Sequence, residues 1–266
     1  MALITIASLV ALALAGAQPS APASAQQPVA AVTVGEPMAR FENLTPGTRT
    51  YLRYRVLNGV WRPMDLWRRE VRFDEQGGQR RLHIVQSWTG PVGAPSNLEV
   101  DSWFEEGTFR PLSHERRSIR AEEVRNEGFL FTPQRIQGLP STPSNSRAEF
   151  SLDTPQPVFN FETDMEMVQT LPLAEGYAAR LRFYHPGGAP PSDWVFRVAR
   201  STRLPFGAAQ LDVWVVTMTA AERPDSVVAR FFVAKQGQQV VRVEQPQLTG
   251  GMIVKVLIDN GLPLPA

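Results

Sequence analysis

A chain of 266 residues with 27 basic and 26 acidic side chains is almost electroneutral, and it contains no cysteine. The missing thiols exclude a disulfide framework, a thiolate nucleophile, a zinc–thiolate centre and a lipidated cysteine. A net charge of +1 argues against nucleic-acid binding by phosphate neutralisation.

In chain order, the first feature is an address. Residues 1–17 form an apolar and small-residue run, followed by small-residue exits at Ala15-Gly16-Ala17 and Ala23-Ser24-Ala25. Such a core is too short for a permanent transmembrane helix and has the build of a secretory signal. Cleavage after Ala25 is expected, giving a product without a transmembrane anchor in a bacterial periplasm or outside the cell. A disulfide-free exported domain must be held by its core alone, and about 240 mature residues suffice for one.

Residues 26–46 hold Pro28, Pro37 and Pro46 and read as an extended leader. A single β-rich domain is expected over 47–260. Residues 51–57 alternate Leu52, Tyr54 and Val56 against Arg53 and Arg55, a period of two that places the apolar set inward. Asn58-Gly59 is a hairpin signal, and the partner strand over 60–74 sets Trp67, Val71 and Phe73 against Arg68, Glu70 and Arg72. Gly77-Gly78 turns the chain into a strand over 81–88. Hairpins follow over 98–105 and 109–119, with a weaker pair around 126–128. The second half adds strands over 177–185, 194–199, 210–220, 227–234, 240–244 and 252–258. The fold class predicted is all-β and mainly antiparallel: a large curved sheet or open half-barrel meander, since this many strands must curl or split. A closed sandwich is the alternative.

One short helix is expected. Thr163-Asp164-Met165-Glu166 fits a capping box, and Pro172 ends the segment. It would cap a sheet face or a barrel mouth. Residues 138–157 carry four prolines and form a long loop, either functional or mobile.

Chemistry is thinly marked. His83, His114 and His185 lack metal-ligand spacing, and neither G-x-S-x-G nor S-x-x-K occurs, so no metal, cofactor or catalytic residue is assigned. Capping accounts for Asp164 and Glu166. Arg53, Arg68 and Arg81 could align as a ladder on one face, solvated or docking anionic head groups. The aromatics are the better clue. Most of the six tryptophans and their phenylalanine neighbours would simply fill a core, and Trp88, Trp103, Trp194 and Trp214 are the candidates to line a concave ligand site. The strands over 213–216 and 231–232 are apolar on both faces, so a sheet covered by one helix and one loop should retain an apolar binding surface.

Glu162-Thr163-Asp164-Met165-Glu166 leads into Leu171-Pro172-Leu173-Ala174-Glu175-Gly176. Arg230-Phe231-Phe232-Val233-Ala234, Arg242-Val243-Glu244 and Val254-Lys255-Val256-Leu257-Ile258 follow. With the opening meander, this order resembles the exported bacterial family of domains of unknown function numbered 3108, over residues 49–259. The opening Gly47-Thr48 departs from that family's Gly-Glu start. The resemblance implies location and fold rather than activity. The implied fold is similar to the open half-barrels of periplasmic lipoprotein carriers, which hold acyl chains against a curved sheet.

The leading expectation is therefore a non-enzymatic envelope protein binding an apolar or amphiphilic, lipid-like ligand. The alternatives are a scaffold docking another envelope protein, and a hydrolase in which a histidine meets a serine and a carboxylate only in space.

Overall fold

The computed structural model describes residues 28–90, 98–120, 123–207 and 209–259. The expected signal segment, 1–25, lies outside the described residues. The described chain starts with β1 (Ala30–Ala31) and a short 3₁₀ turn (Phe41–Asn43). A first meander follows: β2 (Gly47–Leu57), β3 (Val60–Gln76), β4 (Gln79–Thr89), β5 (Leu98–Glu105), β6 (Pro111–Arg120), β7 (Glu123–Phe131), β8 (Arg135–Gly138) and β9 (Ser151–Asp153). The two-residue β10 (Phe159–Asn160) and a 3₁₀ turn (Phe161–Thr163) lead into α1 (Asp164–Thr170). The second meander is β11 (Ala178–Tyr184), β12 (Ser192–Phe206), β13 (Ala209–Ala220), β14 (Val227–Ala234), β15 (Val240–Pro246) and β16 (Met252–Asp259).

Each meander pairs in chain order, and β16 pairs antiparallel with β2, so the two make one sheet. Only β1 and β10 run parallel, both against the free edge of β11. The sheet is open. Thirteen strand spacings separate β11 from β9, roughly 60 Å if the sheet were flat. Yet residues 154–158 alone carry the chain from β9 to β10 on the β11 edge, a reach of about 20 Å at most. The sheet must curl until its edges nearly meet. Side chains fill the gap: Phe131 and Phe150 lie 6.5 and 6.4 Å from the ring of Tyr184, with Ile136 and Val158 in the same cluster.

All seven residues of α1 are buried inside the curl. Met165, Met167, Val168 and Leu171 join Tyr51, Trp67, Leu82, Ile84 and Phe104 in the main core. The stretch preceding β2 contributes as well, burying Met38 and Leu44. Phe109, at φ 53°, leaves the turn between β5 and β6 with its ring fully buried against Phe41 and Phe104.

The hairpin at Asn58-Gly59 forms as expected, with φ 49° and 77°. Several local expectations are corrected. In β2 the inward face carries Arg49 and Tyr51, both buried, while Leu52 is only half-buried. The apolar alternation of Leu52, Tyr54 and Val56 marks the outer face, because the inner one holds polar heads with partners of their own. Arg53, opposite Asp65 on that inner face, is separated from Arg68 and Arg81, which point outward with Thr50 and Asp74, so no arginine ladder forms. No turn occurs at 126–128: β7 runs straight through. Gly128 is there for space, since a Cβ would meet Thr142 Oγ1 at 1.9 Å. The loop over 138–157 is tied down. Asn145 donates to Gly128 and Leu139 carbonyls at 3.0 and 3.1 Å, and Thr142 donates to Glu115 at 2.7 Å.

A further correction concerns the helix start. Thr163 makes no side-chain cap, and its hydroxyl donates instead to the Asn160 carbonyl at 2.7 Å. Asn160 caps the preceding 3₁₀ turn, its Oδ1 accepting from Glu162 N at 3.1 Å. Glu166 does not reach back to close a capping box; it turns toward the sheet.

Candidate functional site: a charged mouth above a buried ion network

Glu166 meets Arg69. On β3, Trp67, Arg69 and Val71 share the inward face, so Arg69 is as buried as its apolar neighbours. Its Nε donates to Glu166 Oε1 at 2.8 Å, and its Nη2 donates to Glu166 Oε2. Two further donors reach Gln86 Oε1 at 2.9 Å and the Glu162 carbonyl at 2.7 Å. Burial disfavours the guanidinium, but the Glu166 carboxylate outweighs it and raises the arginine's pKa further. Two more buried charges lie nearby. Burial raises the Asp164 pKa against the opposing pull of Lys255 and Arg69. Lys255 is pushed down to about 8 by burial, with Asp164 opposing, and its ammonium sits 4.3 Å from the centroid of Trp67.

The network reaches solvent through Glu162. Its carbonyl accepts from Arg69, while its carboxylate accepts from Arg116 at 3.0 Å and lies 3.4 Å from His185 Nε2. Arg116 also reaches Glu127 at 3.3 Å, and Glu127 is further paired with Arg125 and Arg147 at 3.0 and 2.9 Å. Burial alone would raise the Glu162 pKa; the imidazoles of His114 and His185 and the guanidinium of Arg116 bring it below the usual range. Glu127 is likewise held low: burial opposes, and the hydrogen bond from Arg147 and the charge of Arg116 prevail.

These groups surround a cavity of about 650 Å³ at the end of the curl where β4 meets β5 and β6 meets β7. Trp88, Leu98 and Val100 form an apolar wall from β4 and β5. Arg116, Ser118, Glu123, Arg125 and Glu127 come from β6 and β7, with Glu162 and His185 completing the rim. Positive and negative groups are interleaved, and one wall is aromatic. The arrangement can hold a molecule with both polar and apolar parts.

Of the four expected tryptophans, Trp88 lines this cavity, stacked on Trp67 at 5.5 Å. Trp103 lies on the outer face, stacked on His83 at 3.9 Å. Trp194 packs beside Phe161 at 5.8 Å, and Trp214 lies under the Lys235 ammonium at 3.9 Å. The four do not converge. The charged rim went unread, although Arg69 has the parity of Trp67 and Val71, and an arginine on an apolar strand face requires a buried carboxylate.

The histidines occupy three settings. His185 is at the mouth. His83 lies on the outer face between Asp74 and Asp101, 2.8 and 2.9 Å from its two nitrogens. His114 is sealed: its Nδ1 is 2.9 Å from Ser102 Oγ and 3.2 Å from Asn160 Nδ2, and its Nε2 has no partner among the described residues. Burial lowers its pKa to about 3, so it is neutral, and the permanent charge holding Glu162 low at neutral pH comes from the guanidiniums of Arg116 and Arg69. Ser102 is fully buried beside it. Among the described residues no group of three or more His, Cys, Asp or Glu is placed to hold a metal ion. Nor is any described helix long and apolar enough to cross a membrane.

A single open antiparallel sheet, curled around one short helix with a charged mouth at one end, defines the class. The chain belongs to the family described as Protein of unknown function (DUF3108), whose model matches residues 51–257. The match opens and closes on directly paired residues, Tyr51 of β2 and Leu257 of β16. No curated protein matches the chain, and no solved structure matches it.

Proposed function

We propose that this is an exported, non-enzymatic envelope protein that binds an amphiphilic, lipid-like small molecule in the mouth of its curled sheet. The observation that carries the reading is the division of the 650 Å³ cavity into an apolar wall and a charged rim. An apolar portion would lie along Trp88, Leu98 and Val100, and a polar head would exchange for the ion pairs around Arg116 and Arg125. Helix α1 is buried against the core inside the curl, so an acyl chain would lie at the mouth rather than beneath the helix.

The test is titration of the purified protein with an environment-sensitive fatty-acid probe. Saturable binding, displaced by unlabelled lipid and weakened in folded Trp88→Ala and Arg116→Gln variants, is expected. Absence of saturable binding overturns the reading. Export is checked separately by N-terminal sequencing of protein recovered from its native envelope, which should begin at Gln26.

A further inference from the structure

Beside the mouth, among the described residues, the β2–β3 hairpin continues beyond its pairing with β4. The last β3–β4 partners are Leu66 and Thr89, whereas β3 and β2 stay paired out to Val60 and Leu57. The hairpin, still paired with β16 out to Val56, ends in apolar side chains turned to solvent: Leu57, Val60 and Trp61 are 44, 53 and 47 % exposed. The β15–β16 turn abuts it, Gly251 standing so close that a Cβ would meet the Val56 carbonyl at 2.5 Å and Leu57 Cδ1 at 3.3 Å. That turn carries Leu248, fully exposed.

Behind this tip the carboxylates of Asp65 and Glu244 are taken up by Arg53 and Arg242, and two further cations are left over. Arg55 and Arg62 face each other directly across the two strands, both exposed. Like charges opposed in this way destabilise a strand pair, and neither arginine has a carboxylate partner among the described residues. Together with Leu57 and Val60 they line a cleft of about 310 Å³. Neither the arm over 54–63 nor the turn over 246–252 contains an acidic residue.

We propose that this end of the molecule docks on an anionic lipid bilayer. Leu57, Val60, Trp61 and Leu248 enter the headgroup–acyl boundary, and Arg55 and Arg62 bind lipid phosphates. An exposed apolar tip with an aromatic residue and unneutralised cations behind it matches the layering of a membrane surface, apolar below and anionic above. A bound phosphate between Arg55 and Arg62 also relieves their repulsion. The mouth opens at the same end of the sheet, so docking brings it against the bilayer.

Vesicle co-sedimentation of the purified protein tests this, every variant carrying the same N-terminus so that residues 1–25 contribute equally. Vesicles containing phosphatidylglycerol should bind the protein, and phosphatidylcholine vesicles much less. Added salt should weaken the association. Replacing both arginines with glutamine should lower affinity about thirty-fold, from two cations near an anionic surface. Leu57→Ser with Trp61→Ser should abolish binding, whereas Trp61→Phe should keep it; thermal unfolding confirms that each variant is folded. Three results overturn the proposal. One is binding unchanged in folded tip variants. Another is inorganic phosphate held by the two arginines without vesicle association. The last is a dimer that the serine substitutions disperse, which would assign the tip to a second copy.

Discussion

Arg69 on β3 grips both carboxylate oxygens of Glu166, so a strand of the first meander holds the helix that introduces the second. Both side chains are almost completely buried. Arg69→Met strands the Glu166 carboxylate in the core and should cost about 3–5 kcal/mol, the range for breaking one side of a buried ion pair. Glu166→Gln retains an acceptor for Arg69 and should cost less. Urea denaturation gives both values, and an Arg69→Met loss under about 1 kcal/mol would show that the pair does not secure α1.

The two inward-facing and outward-facing histidines should tilt the pH–stability curve in opposite senses. His114 has a native pKa depressed to about 3 by burial. The unfolded chain therefore takes up a proton on acidification that the native state refuses, and stability falls as pH drops below about 6.5. For His83, burial lowers the pKa, but hydrogen bonds to Asp101 and Asp74 outweigh it and the net shift is upward. Its contribution is fully present below about pH 6.5 and fades as pH rises through the elevated native value. Urea midpoints across this range should lose their acid-side slope in His114→Asn and their alkaline-side slope in His83→Gln.

Removing the Asn160 side chain should matter more than removing Thr163's. Asn160 caps the 3₁₀ turn before α1 and also contacts His114, whereas the Thr163 hydroxyl only donates to the Asn160 carbonyl. Asn160→Ala should cost about 1 kcal/mol or more, as for loss of a cap. Thr163→Ala should cost about 0.5–1 kcal/mol, one net hydrogen bond. The opposite order would restore Thr163 as the cap.

Gly138→Ala should loosen the loop over 139–157. A Cβ there would stand 2.3 and 2.4 Å from the carbonyl oxygens of Arg147 and Ala148, and backbone cannot swing aside as a side chain can. The loop must shift, at a cost of about 1–3 kcal/mol. Limited proteolysis should then cut within it faster than in the parent protein.

The strands were legible because alternation and turn chemistry are local. Asn58-Gly59 and Gly77-Gly78 mark the hairpins that they form, with all four residues at positive φ. The family was legible for a similar reason, being carried by the order of segments. The charged site was not, because its links span the chain: Arg69 meets Glu166 from 97 residues away, and Arg116 meets Glu162 across 46. Glu70 and Arg72, their neighbours in type and position, pair harmlessly at the surface, and residue type alone does not separate the two cases. Parity separates Arg69 from Arg68, but nothing local to β3 reveals which carboxylate answers it.

The pairing of β16 with β2 also has a kinetic consequence. Leu52 waits for Val256, and Tyr51 for Leu257, so the joint between the meanders cannot form until nearly the whole chain is available. Closing so distant a contact is slow. Each meander can assemble from near-neighbour hairpins well before that, leaving β2 with an unpaired edge beside Tyr54 and Val56. Such an edge is a template for pairing with another chain. The rate-limiting event in folding is then the docking of two preformed half-sheets, and its chief competitor is edge-to-edge association between molecules caught before it.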